Sequence, residues 1–118
     1  MKAILLILLS ASLAYSLAEP VVDRTLDAPD GNITGLGFGD GSLWALDKLS
    51  ETVYRLDPVS GAVSLSWVVT QTGTKIPTGC TFLNNYVYVC AGTSTGTAAY
   101  GYRYNTGGSY MSYFSLDC

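Results

Sequence analysis

Gly35-Leu36-Gly37-Phe38-Gly39-Asp40-Gly41-Ser42-Leu43-Trp44-Ala45-Leu46-Asp47 reads as a strand, a two-residue turn and a second strand. Asp-Gly favours positive φ at both central positions, as tight hairpins demand. The pattern returns 44 residues on, where Thr34-Gly35-Leu36-Gly37-Phe38 aligns with Thr78-Gly79-Cys80-Thr81-Phe82. Asp40 to Ala45 aligns in the same register with Asn84-Asn85-Tyr86-Val87-Tyr88-Val89. Further on, Tyr54-Arg55-Leu56-Asp57 aligns with Tyr102-Arg103-Tyr104-Asn105 at an offset of 48. The second copy therefore holds about four extra residues, expected in the Gly92 to Ala99 loop. Asp57-Pro58-Val59-Ser60-Gly61 and Asn105-Thr106-Gly107-Gly108 are matching turns. Ala62 to Val69 and Ser109 to Leu116 follow them as fourth strands.

Each copy thus holds four short strands, and no period of 3.6 marks a helix after the first segment. The fold class is all-β, with two four-stranded antiparallel units at about 33–69 and 76–117. Four strands in about 40–45 residues is the size of a β-propeller blade. Thr25-Leu26-Asp27 matches Ser115-Leu116-Asp117 at an offset of 90, two repeats away. Residues 20–27 therefore read as a surplus outer strand. Trp44, Tyr54, Tyr88 and Tyr102 recur at equivalent positions, where large aromatics pack one unit on the next. Arg55 and Arg103 recur likewise.

The first copy, with Val53-Tyr54-Arg55-Leu56-Asp57-Pro58-Val59-Ser60-Gly61 added, resembles the blades of secreted NHL-like, quinoprotein-like and streptogramin-lyase-like propellers. The second is looser, with Cys80 for Leu and Asn105 for Asp. The resemblance covers residues 20–117 and implies a propeller fold, while propellers host many unrelated functions. Two blades do not close a ring, which takes about four to eight. Either this is the front of a longer propeller, the favoured expectation, or copies assemble, as in a three-chain, six-blade ring. Streptogramin-type lyases are expected to use histidine, and the chain has none, so that activity is carried over to no residue.

Residues 1–18 have the form of a secretory signal: Met1-Lys2, an apolar run from Ala3 to Leu9, then Ser16-Leu17-Ala18 before Glu19-Pro20. Cleavage after Ala18 is expected, with Ala14 the alternative. Serines interrupt the apolar run well short of the roughly 18 residues a membrane span needs, so no membrane attachment is expected after cleavage. If built, the segment is expected to be helical. Of 118 residues, six are basic and nine acidic. Removing residues 1–18 removes only Lys2 of these, leaving five against nine, a charge of −4. So few cations argue against nucleic-acid binding. An extracytoplasmic address permits thiol oxidation.

Cys80 and Cys90 fall on opposite faces of a hairpin turning at Asn84-Asn85, because 82 then pairs with 87 and 80 with 89. A bridge between them needs a bulge or another register. A Cys90–Cys118 bridge and a partner outside the chain both stay open. No Cys-x-x-Cys, no histidine and no clustered acids leave a metal site, a cofactor and a catalytic constellation without candidates. The aromatics invite a carbohydrate reading, and core packing explains them better. Asn32-Ile33-Thr34 fits a glycosylation sequon in a eukaryotic host.

Propeller geometry names the ligand face instead. Its loops are Ala28 to Asn32, Asp47 to Glu51, Thr70 to Lys75 and Ala91 to Ala99. The candidate residues there are Asp30, Asn32, Lys48, Glu51, Thr72, Lys75, Thr93, Ser94 and Thr95. The expectation is a secreted, non-enzymatic binding or scaffold module, ligand unknown. Its expected partners are further blades or its own copies. The alternatives are a fragment of an extracellular lyase or oxidoreductase, and a subunit that builds a ring or filament.

Overall fold

The computed structural model describes residues 22–116. The expected signal segment, the start of the surplus strand and Cys118 lie outside the described residues. Among those described there is no helix. Eight strands run β1 (Ile33–Gly39), β2 (Ser42–Asp47), β3 (Thr52–Leu56), β4 (Val63–Val68), β5 (Ile76–Leu83), β6 (Tyr86–Gly92), β7 (Ala99–Asn105) and β8 (Tyr110–Leu116). They form two antiparallel meanders, β1-β2-β3-β4 and β5-β6-β7-β8. The first sheet spans residues 33–68 and the second residues 76–116.

Turn chemistry sets the register. Asp40 and Gly41 have φ of 51° and 62°, and Asn84 and Asn85 have 49° and 65°. Two consecutive positive values match the right-handed twist of the flanking strands. Phe38 then pairs with Leu43, and Phe82 with Val87. Trp44 pairs with Arg55, and Tyr88 with Arg103. Even the bulges correspond, between Ile33 and Gly35 in β1 and between Pro77 and Gly79 in β5. Those of β3 and β7 fall at Arg55/Leu56 and Arg103/Tyr104.

The four extra residues of the second half divide in a way the sequence left open. The β2–β3 hairpin ends its pairing at Asp47↔Thr52, the counterpart of Ala91↔Tyr100. The β6–β7 hairpin adds one more rung, Gly92↔Ala99. Two residues thus lengthen the sheet, and only two lengthen the loop.

The core lies between the sheets. Trp44, Leu46 and Val53 of the first meet Cys80, Val87, Val89, Tyr102 and Tyr104 of the second. Trp44 stacks on Phe82, centroids 5.9 Å apart, and meets the edge of Trp67 at 6.1 Å. The first strands of the two sheets approach closest, and glycine permits it. A Cβ on Gly35 would stand 2.5 Å from the Cys80 backbone nitrogen, and one on Gly37 would stand 3.0 Å from the Thr81 Cα.

Two expectations are corrected. Residues 22–27 join no sheet. The segment instead lies over the outer face of the first sheet, its Leu26 against Gly61 and near Leu36, Leu43 and Leu56. Nor do all four recurring aromatics lie between the sheets. Trp44 and Tyr102 do. Tyr54, one residue out of step with Arg55, faces outward, and Tyr88 sits on the far face of the second sheet against Phe114, 6.2 Å away.

Candidate functional site

In an up-and-down meander the starts of β1, β3, β5 and β7 share one end, so the four expected loops cluster there. Asp47 organises the first part. It is 1% exposed. Its carboxylate accepts the N–H groups of Asn32, Leu49 and Ser50, each at 2.8 Å. The Ser50 N–H leads in holding this carboxyl below the usual range, and the other two add to it, against the upward push of burial. Asp47 thereby ties the loop before β1 to the β2–β3 turn. The Asn32 carbonyl accepts the Lys48 N–H at 3.0 Å and closes the same link. The sequence marked Asp47 only as a loop boundary. Its signal was a short acid closing a strand ahead of a turn.

Asp30 accepts hydroxyls from Ser50 at 3.1 Å and Tyr54 at 3.0 Å. Burial leads in raising the Tyr54 pKa, and the Asp30 charge adds to the shift. Glu51 holds the turn with φ of 52°, and its carbonyl accepts the Val69 N–H at 2.8 Å. Asp30, Asn32, Lys48 and Glu51 are therefore one neighbourhood, with the Lys48 side chain in solvent.

Thr72 is 1% exposed and spends its hydroxyl on the Val69 carbonyl at 3.2 Å. It shapes its loop and is turned away from solvent. Thr93 likewise works inward, its Oγ1 accepting the N–H groups of Thr97 at 3.1 Å and Ala98 at 3.2 Å. Thr95 bonds Thr97 at 2.9 Å, and Ser94 is exposed. The 93–98 loop is thus a self-bonded threonine knot.

Lys75 leads to a feature the sequence did not point out. Its ammonium lies 4.7 Å from the centre of the Tyr100 ring. Tyr100, Tyr102, Tyr110 and Tyr113, with Gln71 and Lys75, line a cavity of about 320 Å³ beside the loop end. Tyr113 stacks on Tyr102 at 6.0 Å and stays 61% exposed. Gln71 is fixed by the Tyr104 hydroxyl, which donates to its Oε1 at 3.0 Å. The alternation of tyrosines along β7 was visible in the sequence, but only the β7–β8 register brings Tyr113 beside them.

Cys80 and Cys90 are both free thiols. Cys80 pairs with Val89 and Cys90 with Gly79, so they occupy opposite faces as expected. The Cys80 thiol donates to the Trp44 carbonyl at 3.3 Å, and burial pushes its pKa up to about 12. That is core chemistry. Among the described residues no three His, Cys, Asp or Glu side chains are placed to hold a metal ion. No protein-family model, curated protein or solved structure matches the chain.

Proposed function

We propose that the two sheets are neighbouring β-propeller blades and that the protein is a secreted binding or scaffold module. Its ligand surface is the loop end, with the tyrosine cleft as the concave part. The observation that carries the binding reading is the cleft beside Lys75. Ring faces, phenol hydroxyls, one amide and one ammonium suit a polyhydroxylated ring, as in a saccharide. The blade reading is supported by shared registers and bulges, and by closest approach at β1 and β5. In a propeller the first strands of the blades lie nearest the axis, where packing is tightest.

Titration with cellohexaose, followed by intrinsic tyrosine and tryptophan fluorescence, tests the binding reading. The expected result is a saturable change that Tyr113→Ala weakens by about tenfold or more, as loss of an aromatic anchor does. A wild-type chain that gives no response to cellohexaose, or to the matching chito- and xylo-oligosaccharides, contradicts it.

A further inference from the structure

Charge is divided unequally along the chain. Residues 22–57 hold seven acids against three cations, a charge of −4. Residues 58–116 hold Lys75 and Arg103 and no acid at all. The next acid, Asp117, lies outside the described residues. The second sheet, with the connection that leads into it, is therefore the basic part of an acidic protein. Charges of the first sheet are partly spent on one another, as in the pair of Arg55 with Asp40 at 3.0 Å. Those of the second are not. Among the described residues, neither Lys75 nor Arg103 has a carboxylate within ion-pair distance.

The two cations stand on opposite faces. Arg103 lies over Tyr86, on the face turned away from the first sheet. Lys75 is half-buried and lies over Tyr100, in the wall of the tyrosine cleft. It is the single charged residue in that wall, whose other members are four tyrosines and Gln71. No side chain lining the cleft neutralises it.

The polar groups beside Lys75 add to the same preference. Gln71 has already given its Oε1 to the Tyr104 hydroxyl, at 3.0 Å, so its amide nitrogen is what it has left to offer. The cleft thus presents an ammonium, an amide N–H and phenol O–H groups, all donors. A sugar hydroxyl both donates and accepts, whereas a carboxylate only accepts and carries the opposite charge. A carboxylate therefore answers this wall more fully than a hydroxymethyl group does.

We propose that the cleft takes an acidic saccharide, a chain of hexuronate units, with a ring carboxylate received by the Lys75 ammonium and the sugar ring lying against Tyr113. The proposal rests on the saccharide reading of the cleft and names the class of saccharide. The acid-free second sheet keeps that anion away from the carboxylates of the first, and the aromatic bed supplies contact that any pyranose ring can use.

Fluorescence titration with β-1,4-linked hexaglucuronate, beside cellohexaose, tests it. The two hexamers differ only at C6, where a carboxylate replaces the hydroxymethyl group. At low ionic strength the wild-type chain should bind the glucuronate about tenfold more tightly, as a hydrogen bond to a charged group allows. Added salt should shrink that margin. Lys75→Met keeps the apolar stem over Tyr100 and removes the charge, and it should bring the glucuronate down to the level of cellohexaose. Lys75→Arg should keep the margin. Arg103→Gln removes the other cation of the second sheet, on its far face, and should leave the margin in place. Circular dichroism checks the fold of each variant, and Lys75→Gln replaces Lys75→Met if that unfolds. Equal binding of the two hexamers, a margin that survives the loss of the Lys75 charge, or one that Arg103→Gln removes as fully overturns the acidic class and leaves the saccharide reading standing. A chain that binds neither hexamer, nor the chito- and xylo-oligosaccharides, overturns both.

Discussion

Two aspartates and one asparagine do the same work in this chain, and the differences between them carry information. Asp47 and Asp57 each gather backbone N–H groups of a following turn, and Asn105 does so in the second sheet through Gly107 and Ser109 at 3.0 and 2.9 Å. Asp57→Asn is therefore expected to leave the melting temperature of the chain nearly unchanged. Asp47→Ala is expected to lower it by several degrees, since three N–H groups lose their acceptor. Both carboxyls are held below the usual range, Asp57 by the Ser60 and Val59 N–H groups in that order. A carboxylate with a lowered folded pKa stabilises the fold above its unfolded value, about 3.9, and the contribution disappears as pH falls through the folded value. Stability should hold at neutral pH and decline below about pH 4, less steeply in Asp47→Asn, as thermal melts across that range will show. The cysteines separate in the same manner. Iodoacetamide at pH 8 should label Cys90 in the native chain and leave Cys80 unmodified until denaturant is added, by peptide mass mapping. Early labelling of Cys80 contradicts its place in the core. The Asp40-Gly41 and Asn84-Asn85 turns were legible because positive φ is a local demand. The tie that Asp47 makes to the loop before β1 was not, because it runs to Asn32, 15 positions away in the chain.

At the scale of strands, alternation decides most outcomes, and alternation is where the aromatic expectation went astray. Sequence offsets identify counterparts, but they do not say which face a counterpart takes. That follows from hairpin register. Trp44 pairs with Arg55, so Tyr54 must point to the other side. The stripe Gly35, Gly37, Gly39 was visible in the sequence, and its use was not. It lies on the face toward β5, where a side chain at Gly39 would overlap the Phe82 ring. Gly37→Val should cost about 1–3 kcal/mol or more, because the obstruction is backbone and cannot turn aside. Trp44→Ala should cost about 3–5 kcal/mol by opening the centre of the core. Urea denaturation reads both. The 93–98 loop is the opposite case. Its hydrogen bonds are largely its own, so trimming it by two residues to the length of the 48–51 turn should leave the midpoint nearly unchanged.

For the molecule as a whole, two four-stranded antiparallel sheets in tandem were readable from the chain. How one sheet sits on the other was not, because that depends on glycine contacts and on aromatic stacking across the gap. The faces left outward follow from it, and so does the cleft beside Lys75. All of these depend on the first sheet presenting Trp44, and not Tyr54, to the second. A NOESY spectrum of the folded chain measures that directly. The account predicts cross-peaks from the Trp44 indole to the Phe82 ring, whose centroid is 5.9 Å away, and none from the Tyr54 ring to Phe82. Cross-peaks from Tyr54 to Phe82, or a Trp44 ring without contacts to the second sheet, would contradict it.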